Sequence, residues 1–390
     1  MDKVAECLAG GRILDIIIGG DLVPTESNIQ LFNDGNVEEL LGKELLSLWM
    51  GAYIRVFNLE VPLTDKKNPI CKCGPNLIAP TSSIKGIKAL NPTLIALANN
   101  HIMDQGVDGL HMTMQLLDTN AISYVGAGAN LEEAKKPYIF NYGNIRIGFY
   151  ACAEHEFSIA TASTPGANPF DPLESLDHIQ ELKSKCDYVI VLYHGGNEHY
   201  RYPSPHLQKV CRKIAEKGAD LVICQHSHCI GCCEKYRGSI IVFGQGNFIF
   251  DRYENDYWQT SLLIKVSVDG GFNVEYIPVR KVGNVIRLAD EKDANEIMDA
   301  FQRRSSEILQ EGFIEQQYRK LAFENYLPYI RSLAGFRKWL TRVDVNLLNG
   351  FLSKHKYSKN QLFAIRNYIE CEAHRELLLA GLRMKGLTDE

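Results

Sequence analysis

The chain has 390 residues, 45% of them hydrophobic and 23% charged, with a formal charge of -5. That balance excludes a disordered chain and argues against whole-protein attraction to nucleic acid or anionic lipid, leaving only local basic patches; no apolar run reaches the ~20 residues needed to cross a bilayer. The opening "MDKVAECLAGGRILDIIIGGD" lacks the basic lead and cleavage site of an export signal, so a cytoplasmic location is expected, with the eleven cysteines as reduced thiols.

In chain order, a short Ile/Val/Leu-rich run followed by a polar turn and a more helical segment recurs up to about residue 285. The runs are "ILDIIIGGD", "YIRVFNLE", "TLIALANNH", "IRIGFYA", "CDYVIVLYHGG", "ADLVICQHSH" and "GSIIVFGQGNFIF". Runs apolar at nearly every position suit strands buried on both faces, so the expected class is α/β with helices on either side of the sheets. From about Glu291 the texture is helical, with Gly312, Gly335, Gly350, Gly381 and Gly386 placed where helices could stop. Two domains are therefore expected, residues 1–290 and a helical extension, residues 291–390. The many Lys and Arg of the extension are expected as solvated outer faces, ahead of a polyanion or membrane-surface site.

Strand after strand ends in a group able to bind a metal. Asp21 ends the first run, Asn58 and Glu60 the second, and Asn99, Asn100 and His101 the third; His194, Glu198, His199, His226 and His228 follow later runs. In open α/β sheets, functional groups gather beyond the carboxyl ends of strands, so these residues can converge. Each alone reads as a turn or helix cap. Together they point to metal chemistry. In an extended segment His226 and His228 would project to one side, suited to one ion each of a pair about 3.5–4 Å apart. Cys224, Cys229, Cys232 and Cys233 lack the second matched pair of a zinc knuckle and are expected as buried thiols.

With these residues in place, the sequence resembles the CapA-type capsule biosynthesis, or poly-gamma-glutamate synthesis, family, a branch of the calcineurin-like metallophosphoesterases. The blocks are "GGDLVPT", "NLEVPLT", "LANNHIMDQG", "HGGNEHY", "GADLVICQHSH" and "IIVFGQGNFIFD", in order over roughly residues 13–285. The resemblance implies a four-layer sandwich, two mixed β-sheets flanked by helices, with a two-metal centre at the sheet ends. It implies metal ligation by Asp21, Glu60 (bridging), Asn100, His194, His226 and His228, with His101 acting from outside the metal shell. Two departures stand out. Val23 occupies a position where the wider superfamily has a His ligand, so one metal is short unless His199, Asp104 or Glu198 substitutes. The usual "GHHPH" reads "CQHSH", with Cys224, Gln225 and Ser227 as the changed residues.

The implied cofactors are two divalent ions, manganese, iron or zinc, activating a shared water for attack on phosphorus. His101, oriented by Asp104, would protonate the leaving group or stabilise charge. Glu198, His199 and Asn247 are candidate substrate contacts, although Gly244, Gly246 and Asn247 also fit a bulged strand end. The expected substrate is a small phosphoester or an anionic polymer, with capsule-synthesis proteins as partners through the C-terminal helices. Two other functions stay open: amide hydrolysis or transfer on a gamma-glutamyl polymer, and a non-catalytic assembly factor with a vestigial site.

Overall fold

In the computed structural model, residues 14–388 are described; the sequence-based reading of an absent export signal concerns residues that lie outside that span. The strands are β1 (Leu14–Val23), β2 (Ile54–Leu59), β3 (Leu94–Ala96), β4 (Ser123–Val125), β5 (Ala127–Gly128), β6 (Tyr138–Tyr142), β7 (Ile145–Ala153), β8 (Gly166–Ala167) and β9 (Tyr188–His194). They continue with β10 (Leu221–Gln225), β11 (Ile230–Tyr236), β12 (Ser239–Gln245), β13 (Asn247–Phe250), β14 (Thr260–Val268), β15 (Phe272–Val282) and β16 (Val285–Leu288).

Two mixed sheets dominate. The first runs β16-β15-β14-β1-β2-β3-β4, with β13 also paired to β1; the second runs β11-β12-β10-β9-β7-β6. In each, the central strands are parallel: β1 through β4 in the first, and β7, β9, β10 and β12 in the second. Parallel strands aim their carboxyl ends one way, which is why groups far apart in sequence can meet.

The alternation of side chains explains the layers. Ile16 and Ile18 of β1 join Phe149, Ile190, Leu192 and Ile223 of the other sheet in one buried cluster, which therefore lies between the sheets. The opposite face of β1, through Ile17, packs with Trp49, Leu110 and Leu117 from flanking helices. The second sheet turns Val191 and Val222 toward Ile179, Val210 and Ile214 on the helices Ser175–Lys185 and Pro205–Glu216. The result is helix, sheet, sheet, helix, the four-layer architecture that the family resemblance implies.

One crossing positions the site. After β12 the chain passes through Gly246 (φ +79°) and continues as β13 in the first sheet, where Asn247 pairs in register with Asp21. A Cβ on Gly20 would lie 1.9 Å from the Gly246 carbonyl oxygen, so the approach requires glycine there. The "GQGNFIF" run is thus two strands in two sheets joined at Gly246.

The described residues group into two compact units, divided between Glu315 and Gln316. The helix Glu291–Glu307 belongs to the first, beyond the 290/291 division expected from texture. The reason is packing: Ile297 and Phe301 are buried with Ile230 and Leu262, and Arg304 Nε donates to the Gly231 carbonyl at 2.7 Å. The second unit is helical, over Phe313–Leu333 (which begins in the first), Lys338–Asn346, Phe351–His355, Lys359–Glu370 and Glu372–Thr388. Buried Asp344 ties three of these together, accepting from Arg331 Nε at 2.9 Å and from the Leu352 amide at 2.8 Å. Gly312, Gly335 and Gly350 take positive φ between helices, but the last helix runs through Gly381 and Gly386. The ten described cysteines are free thiols.

Candidate metal centre

The carboxyl ends of both sheets meet over one buried cluster. Asp21 comes from β1, Glu60 from the residue after β2, Asn100 from the turn after β3 and His194 from the end of β9. His226 and His228 follow β10, which ends at Gln225. The pair does not continue the strand as expected. His226 has φ +89° and His228 φ +54°, left-handed conformations costly for any residue that carries a Cβ and held here by the surrounding structure. Both rings nonetheless enter the same cluster, with centroids 6.0 Å apart.

Ligand atoms gather in two groups that share one carboxylate. Glu60, His194 and His226 form one; Asp21, Glu60 and His228 form the other, with the atoms of each group within 4.8 Å of one another. The carbonyl oxygen of Asn100 adds to the first, 3.0 Å from His194 Nε2. All six side chains are buried. Asn58 Nδ2 donates to Asp21 Oδ1 at 2.7 Å and sits 3.3 Å from His194 Nδ1, bracing a residue of each group. Asn99, in turn, donates to Asn58.

The electrostatics suit a candidate cation site. Both Glu60 oxygens and His226 Nδ1 are buried without a hydrogen-bond partner. His194 Nε2 lies 3.2 Å from Glu60 Oε1, close enough for an ion pair but without hydrogen-bond geometry. Burial pushes the Asp21 carboxyl up to about 7, with the Glu60 charge pushing the same way, and pushes Glu60 up to about 8. Burial likewise lowers His194 to about 4 and His226 to about 3, and holds His228 well below its ordinary value. Neutral imidazoles are the ligating form, and buried carboxylates lacking a counter-charge are what divalent cations relieve. The donor set, imidazole nitrogen with carboxylate and amide oxygen, fits manganese, iron or zinc.

The remaining sequence candidates have other placements. His101 Nδ1 lies 2.6 Å from Asp104 Oδ2, and Asp104 also accepts from the Leu77 amide. Asp104 is thus engaged beside His101 and does not join a ligand group. His199 Nε2 accepts from Trp258 Nε1 at 2.7 Å and its ring stacks on Tyr257, so the fold uses it in an aromatic wall. Glu198 is exposed, while Asn247 Oδ1 lies 2.9 Å from His228 Nδ1. Val23 is buried among apolar residues.

Two contributors escaped the sequence reading. Lys72, its side chain 2% exposed, forms an ion pair with Asp104 and places Nζ 3.2 Å from His101 Nδ1. Glu156, on the loop after β7, accepts from Asn100 Nδ2 at 3.3 Å and lies 3.9 Å from His226 Nε2.

Residues 15–252 match the family described as "Bacterial capsule synthesis protein PGA_cap". The chain belongs to this family. Among its relatives, the PGA biosynthesis protein CapA of Bacillus subtilis (strain 168) is 33% identical over 200 residues, 50% of this chain and 52% of that protein. The capsule biosynthesis protein CapA of Bacillus anthracis is 31% identical over 204 residues, 50% of this chain and 49% of that one. The chain therefore spans about half the length of the curated relatives it matches. Among solved structures, one described as a novel phosphatase from Mycoplasma pneumoniae is 14% identical, with a TM-score of 0.43 over 70% of this chain and 95% of that one. The helices beyond residue 252 fall outside the PGA_cap match.

Proposed function

We propose that this member of the capsule synthesis family is a dinuclear metal-dependent hydrolase acting on a phosphoester during production of a capsule polymer. The observation that carries this reading is Glu60: buried, unpartnered at both oxygens, and common to two ligand groups. A carboxylate so placed is suited to bridge two ions, one with Asp21 and His228, the other with Asn100, His194 and His226. When bound, such a pair supplies Lewis-acid polarisation and an activated water.

The chain's own residues supply the rest. Asn58 orients Asp21 and His194. Asp104 holds the His101 ring through Nδ1, and Lys72 balances the Asp104 charge, so Nε2 is the ring atom left to exchange a proton with the leaving oxygen. Exposed Glu198 and buried Asn247, whose Oδ1 lies 2.9 Å from His228 Nδ1, are the substrate contacts of this reading, and His199 contributes through the wall it forms with Tyr257 and Trp258.

The relatives' names, which speak of PGA and capsule biosynthesis, favour one second reading, in which the same centre polarises the amide of a gamma-glutamyl polymer. The test is turnover by chelator-treated protein reloaded with manganese. Release of nitrophenol from bis-nitrophenyl phosphate, dependent on manganese, is expected. Cleavage of a gamma-glutamyl polymer without phosphodiester turnover selects the amide reading, and uptake of no transition metal favours a non-catalytic assembly factor.

A further inference from the structure

The second unit, Gln316–Glu390, carries large apolar side chains in water: Phe323 is 85% exposed, Trp339 64%, Phe351 58% and Phe363 55%. Apolar residues scattered singly on a surface need no explanation, whereas stripes of them mark a contact face. Here they form stripes. On the helix Phe313–Leu333, exposed Arg319, Phe323, Tyr326, Tyr329 and Leu333 follow one another at intervals of three and four, which places them along one side. Trp339, Arg342 and Val345 do the same on the next helix, and Lys359, Phe363 and Arg366 on the helix Lys359–Glu370. Lys359 Nζ stands over the Phe363 ring at 5.8 Å.

Each stripe thus joins aromatic or aliphatic side chains to a cation. The unit is basic as a whole, with thirteen Lys and Arg against seven Asp and Glu over residues 316–390, and the stretch between Arg319 and Arg366 holds ten of those cations against two of the acids, in a chain whose overall charge is -5. Of the two acids, Asp344 is buried and paired with Arg331. Among the described residues, no helix is long and apolar enough to cross a membrane.

We infer that this unit docks on the surface of an anionic membrane, lying in the interface rather than spanning it. The combination selects that occupant. Basic groups attract acidic headgroups, aromatic side chains settle at the boundary between headgroup and acyl chain, and the stems of Lys and Arg extend from one region to the other. A soluble polyanion leaves the exposed rings without a role. A second copy of the unit brings like charges face to face. The inference is independent of the metal centre, which lies in the other unit.

The chain carries its own probe. Of its three tryptophans, Trp49 and Trp258 are buried, so Trp339 is the one exposed to water. Full-length protein is mixed with vesicles of phosphatidylcholine containing phosphatidylglycerol and with vesicles of phosphatidylcholine alone. Co-sedimentation and a blue shift of Trp339 emission are expected with the anionic vesicles, weakened by high salt and absent with the neutral ones. The double variant Lys338→Glu/Arg342→Glu, changed only at exposed positions, is expected to sediment with at least about tenfold lower affinity. Trp339→Phe removes the blue shift and leaves sedimentation nearly unchanged, which separates the probe from the docking. Equal binding to both vesicle types, no binding to either, a blue shift from self-association without vesicles, or binding to polyglutamate but not to vesicles would each overturn the inference.

Discussion

Replacing Glu60 by Gln removes a charge while keeping the shape, and its effects with and without cations have opposite signs. In metal-free protein the Glu60 carboxyl is wholly buried, and burial pushes it from 4.5 up to about 8, with Glu198 and Asp104 pushing the same way and His101 and Lys72 against it. A carboxyl whose folded value lies above its unfolded one stabilises the fold below the unfolded value, and that contribution is lost as pH rises through the folded value. At pH 7 the linkage cost is about 3 kcal/mol, which an amide does not incur. The amide leaves buried polar atoms unpaired, but so does the protonated acid it replaces. Asp21, raised to about 7, acts in the same sense. His194 and His226, lowered to about 4 and 3, act oppositely, losing stability as pH falls below 6.5, so the informative window is pH 6.5–8. There, metal-free wild type is expected to lose thermal stability with rising pH, and Glu60→Gln to melt higher and with a flatter pH response. Manganese should raise the wild-type melting temperature increasingly across that window and leave the variant unmoved. Scanning fluorimetry with and without manganese reads both effects. A variant that keeps the full manganese shift, or wild-type stability that climbs from pH 6.5 to 8 without metal, refutes the reasoning.

Three further substitutions test individual roles. His226→Ala is expected to lower metal content and activity together, because it removes a ligand from the group it forms with Glu60 and His194; full occupancy by elemental analysis contradicts that placement. His101→Ala is expected to retain metal but to lose turnover by about 10²- to 10⁴-fold, and unchanged turnover removes it from the mechanism. Lys72→Met leaves Asp104 buried without its ammonium partner and is expected to cost about 3 kcal/mol of stability, read by denaturant unfolding; an unchanged midpoint contradicts the buried ion pair.

The extent to which the site was legible in the sequence follows from where each residue sits. Asp21, Glu60, Asn100 and His194 stand at or beside the ends of apolar strands, and that regularity exposes them. The i, i+2 spacing makes the His226 and His228 pair legible, although the backbone that brings them together is left-handed rather than pleated, a conformation no hydropathy pattern encodes. Lys72 lies in "NPICKCGPN", a loop without periodicity, and only folding reveals that it reaches Asp104 and His101. Glu156, likewise on a loop, leaves no signal that distinguishes it from Glu154 nearby. The helix Glu291–Glu307 shares the texture of the helices after it, and its place in the first unit is decided by Ile297 and Phe301 finding Ile230 and Leu262, a long-range pairing invisible to local pattern.

The most direct test is anomalous diffraction from crystals of the full chain grown with manganese. Two peaks are expected, one on either side of Glu60, the first touching Asp21 and His228 and the second Asn100, His194 and His226. Peaks that leave Glu60 uncoordinated, or no peak at all at saturating manganese, would contradict the dinuclear centre and the hydrolase built on it.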